Sequence, residues 1–420
     1  MNHANAVRQG HNTCAKYLAH YAEPETQSLT SFPQRLSYQQ VLVIPAFEET
    51  AAFIERFVNS VLVEQSCLLI VVINQPDNDL GLAHYQTQVD LSNAIAQQGG
   101  VIWQQDNLQL IELCQANKNQ RINSAILMVN RYHHAIPAEQ GVGLARKIGA
   151  DLAVTLFYAG VIAKPWIHSS DADAYLPDNY FTVHASDNLA LKQAVATCCN
   201  FYHHSDQQAI YQANKLYERA LRYYVAGLAY AQSPYAYFTI GSTLSFDMLA
   251  YCQARGFPKR SAGEDFYLLN KLAKLGDVVY LPDVTIKLDA RPSQRVPFGT
   301  GPAVQNIMQL TEQGQDYLYY HPTVFIELKA CLQAFAILWQ HRLQPELWFA
   351  GLSDTTQQAL KNIGLLTFIS KQKSAKQAQF NKQLTVWFDS FKTLKYIHAL
   401  REQGIASIAL EQAIAEAPFS

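Results

Sequence analysis

Two aspartates, Asp171 and Asp173, stand one residue apart after a mostly apolar stretch, residues 161–167. That stretch is typical of a short buried strand. If the backbone stays extended at the strand end, residues i and i+2 point to the same side, so both carboxylates would face one point beyond the strand. Open α/β sheets bind ligands in the crevice at that position. Two hard oxygen donors there suit Mg²⁺ or Mn²⁺ and, through the ion, a diphosphate.

A simple turn is the alternative interpretation of these residues. Aspartate is common in turns, and it also caps helices, here one starting near Pro177. Taken alone, the pair favours the turn, because short motifs recur by chance. The neighbouring segments therefore decide between the two.

Composition sets the class of protein. The chain has 420 residues, 49% hydrophobic and 16% charged, which is enough for a large core in two or three domains. The net charge of -2 gives no electrostatic footprint for nucleic acid. Seven cysteines without a Cys-x-x-Cys pair indicate reduced thiols in a cytoplasmic protein. We expect no signal peptide and no transmembrane segment, with peripheral membrane contact left open.

The elements that must position the aspartates are strands and helices in alternation. Residues 41–47 and 68–73 are apolar throughout, as strands buried on both faces should be. Helices are predicted over residues 50–62 and 82–98, and further strands over residues 108–113 and 125–130. Strand, helix and strand in succession predict a parallel sheet with right-handed crossovers.

A glycine-rich helix precedes the aspartate pair, over residues 141–153. It presents one basic pair, Arg146 and Lys147, beside a helix N-terminus, and both could face the same anion. The alternative is a helix packed closely through its glycines, with the basic pair in solvent.

Three regions follow from this pattern. Residues 1–38 form an N-terminal extension with a short helix around residues 15–21, residues 39–302 form the α/β domain, and residues 303–420 are a region of amphipathic helices. The helical region has apolar faces such as Val324, Leu328, Leu332 and Phe335. Its function and the oligomeric state are not predicted.

Four segments in this order resemble family-2-type glycosyltransferases of the GT-A fold, over roughly residues 40–290. Residues 43–49 look like the opening V-I-P-A-Y/F-N-E strand and loop. Residues 141–149 look like the G-x-x-x-A-R-N-x-G helix, and residues 171–173 look like the metal-binding D-x-D. Residues 241–246, 256–257 and 264–266 look like the acceptor side with its G-G-F and E-D elements.

The resemblance implies a Rossmann-like mixed sheet flanked by helices, with a helical C-terminal extension. It implies transfer of a sugar, hexosyltransferase-like, from a nucleotide-diphospho-sugar to a hydroxyl acceptor that the sequence does not identify. Mg²⁺ or Mn²⁺ on Asp171 and Asp173 would neutralise the leaving diphosphate. Arg146, with Arg295, would add positive charge there.

The resemblance also assigns the remaining site residues. Asp265 would be the general base that takes the acceptor proton, which implies an inverting reaction. The acidic bias of a helix N-terminus is the alternative for Asp265 and its neighbour Glu264. The nucleotide would bind at strand ends, at Pro45, Ala46, Glu48 and Asn74.

The sequence departs from the family pattern at three positions. Lys147 stands where asparagine is usual, and Asn74 stands where an aspartate often holds the base, with Asp77 nearby. Many relatives carry a histidine as a further metal ligand after the last strand. No histidine lies between Asp265 and Asp289, so Asp289 is the best substitute as third ligand. A retaining reaction therefore stays open.

Other classes fit less well. Haloacid-dehalogenase-like phosphatases share Asp-x-Asp, but place it near the first strand and usually continue with Thr or Val, where Ala174 stands here. A sugar-nucleotide pyrophosphorylase should show a basic Gly-rich loop after the first strand, where residues 46–49 are Ala-Phe-Glu-Glu. A non-catalytic nucleotide-sugar-binding protein is the third alternative; the presence of Asp171, Asp173 and Asp265 together disfavours it.

Residues 289–301 form the last segment with a predicted function. They are rich in Gly and Pro and contain Arg291 and Arg295. We expect a mobile lid over the donor diphosphate, with Arg291 or Arg295 reaching the phosphates as bidentate donors. The alternative is a fixed connection whose arginines pair with local acids such as Asp283.

Overall fold

The structure, a computed structural model, describes residues 3–79, 81–113, 123–185, 189–291 and 299–419. The chain folds into two compact units. The first consists of Met1–Ser205 with Thr239–Gly301, and the second of Asp206–Phe238 with Pro302–Ser420. The second unit therefore contains a segment from the middle of the sequence as well as the predicted C-terminal region.

The strands and helices alternate along the first unit, and helices dominate the second. The strands are β1 Gln40–Ala46, β2 Cys67–Pro76, β3 Gly99–Gln105, β4 Leu108–Leu113, β5 Ala125–Ile136, β6 Trp166–Ser169, β7 Ala174–Tyr175, β8 Ala194–His204, β9 Leu244–Asp247, β10 Asp277–Asp289, β11 Leu318–Tyr319 and β12 Ile408–Ala409. The helices are α1 His3–His20, α2 Ala52–Val58, α3 Leu82–Ala96, α4 Gly141–Tyr158, α5 Gln208–Tyr230, α6 Met248–Gln253, α7 Glu264–Leu272, α8 Thr300–Glu312, α9 Thr323–Leu338, α10 Pro345–Phe349, α11 Asp354–Asn362, α12 Leu365–Lys371, α13 Gln377–Trp387, α14 Ser390–Glu402 and α15 Leu410–Glu416.

Within the described residues, the first unit is built on a ten-stranded mixed sheet. Its order is β3-β4-β5-β2-β1-β6-β9-β8-β10-β7. The central strands β5, β2, β1 and β6 are parallel neighbours. Every residue of β1 is buried, as its apolar sequence requires. The predicted fold class, a Rossmann-like mixed sheet flanked by helices with a helical C-terminal region, is confirmed.

The parallel pairing that the alternation of strands and helices predicts is interrupted at three places, one of which is β7, antiparallel to β10. β3, β4 and β5 form an antiparallel meander at one edge, and β9 runs antiparallel between β6 and β8. The loop between β3 and β4 has two residues, with Asp106 at φ 50°, which is hairpin geometry and too short for a crossover. β3 escaped prediction because it begins with two glycines and is largely exposed, so it has no apolar pattern.

A buried polar network holds α1 against α4. The Nζ of Lys147 donates to Asp151 Oδ2 at 2.7 Å and to the Tyr17 hydroxyl at 2.8 Å. The Tyr17 hydroxyl donates in turn to Asp151 Oδ1 at 2.6 Å. Burial raises the pKa of Asp151, and the ammonium of Lys147 opposes that rise. The N-terminal extension is therefore part of the first unit, and Lys147 attaches it.

The second unit is a set of helices around its own apolar core. Val324, Leu328 and Phe335 on α9 are buried and Leu332 is half-buried, which confirms the predicted apolar face. The two-stranded sheet of β11 and β12 joins the two ends of this region. Among the described helices, none combines the length and apolar character needed to cross a membrane.

Close packing of α4 on the sheet explains one glycine of the predicted motif. A Cβ added at Gly149 would lie 2.3 Å from Val43 Cγ1 on β1. Val43 is 1% exposed and has little space to move into. The helix can lie this close to β1 only because position 149 has no side chain.

We expect Gly149→Ala to destabilise the first unit. Overpacking costs about 1–3 kcal/mol, and the better helix propensity of alanine offsets up to about 1 kcal/mol. Denaturant unfolding followed by tryptophan fluorescence measures the difference. Gly100→Ala is the matched control, since an added Cβ meets nothing within 4 Å there. Equal stability of both variants and the wild type would contradict the packing argument.

Candidate active site

The candidate site lies along the edge of the ten-stranded sheet where most strands have their carboxyl ends. β1, β2, β6, β8 and β10 run in the same direction, because β9 is antiparallel to both β6 and β8. The carboxyl ends of these strands therefore meet at the same edge. Four strands carry a predicted site residue at or just beyond this end. These residues are Glu48 after β1, Asn74 near the end of β2, Asp171 after β6 and Asp289 at the end of β10.

The aspartate pair lies in a turn that crosses this edge. The amide of Ala174 donates to the carbonyl of Asp171 at 3.1 Å, which closes a turn over Asp171–Ala174. The backbone at the aspartates is therefore a turn and not the extended strand end that was expected. No α-helix starts near Pro177 among the described residues that follow.

The same turn brings two predicted metal ligands together. The amide of Asp289 donates to the carbonyl of Asp173 at 3.0 Å. β7, which follows the turn, pairs antiparallel with the end of β10. Backbone pairing thus places Asp173 beside Asp289, although 116 residues separate them in sequence.

Arg146 on α4 is the centre of the hydrogen-bond network. Its Nη2 donates to Asp171 Oδ1 at 2.6 Å and its Nε to Glu264 Oε1 at 2.9 Å. Its Nη1 donates to Ser169 Oγ at 2.9 Å and to the Ser170 carbonyl at 3.1 Å. One guanidinium therefore joins α4, the end of β6 and the start of α7.

The surroundings of Arg146 keep it charged. Its side chain is 3% exposed and that of Glu264 is 6% exposed, whereas Asp171 is 34% exposed. Burial lowers the pKa of Arg146, but the carboxylates of Asp171 and Glu264 raise it by more. The pair with Glu264 is thus buried, and Asp171 extends from Arg146 toward solvent.

Gly241 leaves room for this guanidinium. A Cβ at Gly241 would lie 2.5 Å from Arg146 Nη2. The turn Gly241–Thr243 is also tied to the aspartate turn, because Ser170 Oγ donates to the Ser242 carbonyl at 2.9 Å. The glycine of the predicted acceptor-side segment therefore permits the contact between Arg146 and Asp171.

Asp265 is the second residue of α7, directly after Glu264. Its Oδ1 accepts from the amide of Phe266 at 2.6 Å. Burial, and after it the negative charge of Glu264, raise the pKa of Asp265 to about 7. A carboxylate with this pKa exchanges protons near neutral pH, as a general base should.

The predicted nucleotide-binding residues lie on adjacent strands. Pro45 and Ala46 are buried in β1, opposite Val72 and Ile73 of β2, and Asn74 follows in β2 with 5% exposure. Glu48 lies just beyond β1 with φ 54°, a left-handed conformation that is uncommon for a residue with a side chain.

Glu48 belongs to a cluster that the sequence did not reveal. His84 Nε2 lies 3.0 Å from Glu48 Oε1, and His84 Nδ1 lies 2.8 Å from Asp79 Oδ2. The hydrogen bond to Asp79, and then the charge of Glu48, raise the pKa of His84. With a carboxylate at each ring nitrogen, the protonated imidazolium satisfies both contacts.

The distances between potential metal-ligand atoms differ between this cluster and the group of Asp171, Asp173 and Asp289. In the described ranges, Glu48, Asp79 and His84 are the group whose ligand atoms all lie within 4.8 Å of one another. Asp171, Asp173 and Asp289 share one edge but do not form such a group. The donor set still fits a hard divalent cation, since these are three carboxylates and the described contacts of Asp171 use only its Oδ1.

The two arginines of the predicted lid have different positions in the structure. Arg291 pairs with Glu49 after β1 rather than with Asp283, and Arg295 lies outside the described residues. Glu49 was predicted only as part of the opening strand-and-loop segment, residues 43–49. Its partner could not be found from sequence, because the contact spans 242 positions.

Comparison with known proteins gives structural likenesses only. No protein-family model and no curated protein matches the sequence. The structure is similar to Staphylococcus aureus TarS 1-349 in complex with UDP, at 9% identity, covering 83% of this chain and 90% of that one with TM-score 0.36. It is also similar to the mannosyltransferase PcManGT from Pyrobaculum calidifontis in complex with GDP-Man and Mn²⁺, at 13% identity, 95% and 96% coverage and TM-score 0.37. A mycobacterial protein matches at 12% identity, 70% and 82% coverage and TM-score 0.32.

We expect Arg146→Met to destabilise the protein by about 3–5 kcal/mol, because it leaves the buried Glu264 without a counter-charge. Arg146→Met combined with Glu264→Met should recover part of that loss, since both buried charges are then gone. Denaturant unfolding measures both. Arg219→Met is the matched control: Arg219 pairs with Glu411 at the surface, where the two side chains are 41% and 63% exposed, and a loss below about 1 kcal/mol is expected. Equal losses at Arg146 and Arg219 would refute the central role of Arg146.

Proposed function

We propose that the protein is a glycosyltransferase that moves a sugar from a nucleotide-diphospho-sugar to a hydroxyl acceptor with inversion. The observation that supports this best is the Arg146 network. It joins Asp171, on the side proposed for the donor diphosphate, to Glu264 beside Asp265, on the side proposed for the acceptor. Such a reaction needs charge neutralisation and a base at a fixed separation.

On the donor side, Asp171 and Asp173 would hold Mg²⁺ or Mn²⁺, with Asp289 as the third ligand. The ion would act as a Lewis acid on the leaving diphosphate. Arg146 holds Asp171 in place through the hydrogen bond to its Oδ1, so its role in this proposal is positioning. Arg291 and Arg295 would contact the phosphates, and Arg291 would exchange Glu49 for them.

The nucleotide would bind beside the donor site, at the ends of β1 and β2. Pro45 and Ala46 form the buried floor of this proposed pocket, and Asn74 and Glu48 supply its polar groups. Asparagine can donate to and accept from the imide edge of a base, so it can replace the more usual aspartate.

On the acceptor side, Asp265 would take the proton of the attacking hydroxyl. Its pKa of about 7 supports this assignment, because a base is most effective when its pKa lies near the working pH. Glu264 Oε1 accepts from Arg146 Nε, so in this proposal Glu264 positions Arg146. The two adjacent carboxylates therefore have separate tasks.

We expect Asp173→Ala to abolish Mn²⁺-dependent binding of nucleoside diphosphates while the fold stays intact. Asp171→Ala should do the same, and it also removes a partner of Arg146. Calorimetry with UDP and GDP, with Mn²⁺ and with EDTA, measures the effect. Asp283→Ala, an exposed aspartate of β10, is the control. Unchanged metal-dependent affinity in both Asp171→Ala and Asp173→Ala would overturn the proposed metal site.

We expect Asp265→Asn to retain donor binding and to lower the transfer rate by about 10²-fold or more. The wild-type kcat/KM should rise with pH and reach half its maximum near pH 7, because Asp265 is protonated and inactive below its raised pKa of about 7. Rate measurements from pH 5 to 9 test this, with Asp277→Asn as the control at an exposed acid. An unchanged pH profile in Asp265→Asn would show that the base lies elsewhere.

A further inference from the structure

Positive charge is concentrated in one part of the second unit. Residues 361–401 contain eight lysines and arginines and a single acid, Asp389, in a chain whose net charge is -2. This segment runs from the end of α11 through α12 and α13 to the end of α14. A charge asymmetry of this kind indicates an anionic partner.

Four of the eight cations lie over aromatic rings and are used within the fold. Lys361 lies 5.3 Å from the ring of Phe349, and Lys392, Lys395 and Arg401 lie over other rings of the same unit. The other four are exposed and form no ion pair with any residue in the described part of the chain. They are Lys371, Lys373, Lys376 and Lys382.

Two exposed leucines lie in a segment that is hydrogen-bonded to the loop carrying three of these lysines. Leu343 is 65% exposed and Leu347 is 59% exposed. Their segment is attached to the lysine-bearing loop, because Arg342 Nε donates to the Lys373 carbonyl at 3.0 Å. A second hydrogen bond joins the same two segments: Trp339 Nε1 donates to the Ala375 carbonyl at 3.0 Å.

The helix α13 continues the same combination. Val386 is 37% exposed and lies four positions after Lys382, so both side chains are on one helix face. We name Leu343, Leu347, Lys371, Lys373, Lys376, Lys382 and Val386 the lysine-leucine face. It combines exposed lysines that have no ion pair among the described residues with large, exposed apolar side chains.

The two components together identify the partner. Unpaired lysines alone would fit any polyanion, including nucleic acid, whose backbone is bound through cations. Large exposed leucines add nothing to a contact with phosphates, but they enter the apolar boundary of a bilayer. Interfacial segments combine apolar insertion with attraction to anionic headgroups, and stable binding takes both signals.

We propose that the lysine-leucine face binds the surface of a membrane that contains anionic phospholipids. Leu343 and Leu347 insert at the headgroup boundary, and the four lysines lie against the phosphates. This contact is independent of the proposed catalytic function, since it uses none of the site residues at the edge of the sheet.

Vesicle sedimentation of the full-length protein tests the proposal. Wild-type protein should bind vesicles of phosphatidylcholine with 30 mol% phosphatidylglycerol, and binding should weaken as salt is raised. Vesicles of phosphatidylcholine alone should bind much less. Each lysine contributes about fivefold, so K371Q/K373Q/K376Q/K382Q should lower the partition coefficient by on the order of 10³-fold.

Two further variants distinguish binding through this face from a general effect of net charge. L343S/L347S should also lower binding while it leaves the charge unchanged. K16Q/K192Q/K215Q/K274Q removes the same number of exposed lysines elsewhere and should bind like the wild type. Circular dichroism checks that each variant is folded.

Three results would overturn the proposal: no wild-type binding to anionic vesicles, equal binding by the quadruple variant of the face, or equal binding by L343S/L347S. Binding to a single-stranded oligonucleotide without binding to vesicles would assign the lysines to nucleic acid instead.

Discussion

The contact on which the proposed site depends is the buried guanidinium of Arg146. Four hydrogen bonds from its planar fork reach Asp171, Glu264 and the end of β6 at once, which a lysine could not do. A buried charge is unfavourable unless it is fully paired, so this arrangement tolerates little displacement of any partner. α4, the aspartate turn and α7 are thereby held at fixed separations. Residues proposed for donor and acceptor chemistry come from distant parts of the sequence, and one side chain sets their geometry.

Much of the fold could be predicted from sequence because its central strands are buried on both faces. β1 and β2 are continuous apolar runs, and α4 is marked by its glycines. The exposed β3 had no such pattern. The direction of β9 could not be predicted either, because pairing direction is decided by which strands become neighbours in space. Local sequence carries no information on that.

Sequence motifs pointed to the residues of the candidate site, but not to how these residues are arranged. The aspartates, Arg146 and Asp265 were all identified from their motifs, but the motif could not show that Arg146 is bonded to carboxylates. The turn at Asp171 also replaced the extended geometry expected from strand alternation. At Arg146, a side chain expected to face an external anion has carboxylate partners from other segments of the chain. The cluster of His84 with Glu48 and Asp79 belongs to this class of contacts.

The attachment of α1 has a consequence for the order of events during folding. The partners of Tyr17 lie 134 and 234 positions further along the chain, at Asp151 and Tyr251. Most helical stability in proteins comes from tertiary packing, and closing so long a loop is entropically unfavourable before its partners exist. At a synthesis rate of about 5–20 residues per second, Tyr251 follows Tyr17 by about 10 to 50 seconds. Throughout that interval Tyr17 and Cys14, both buried in the finished protein, face water or other macromolecules. α1 is therefore synthesised well before the residues against which it packs. A chaperone that binds emerging chains has tens of seconds in which to contact it.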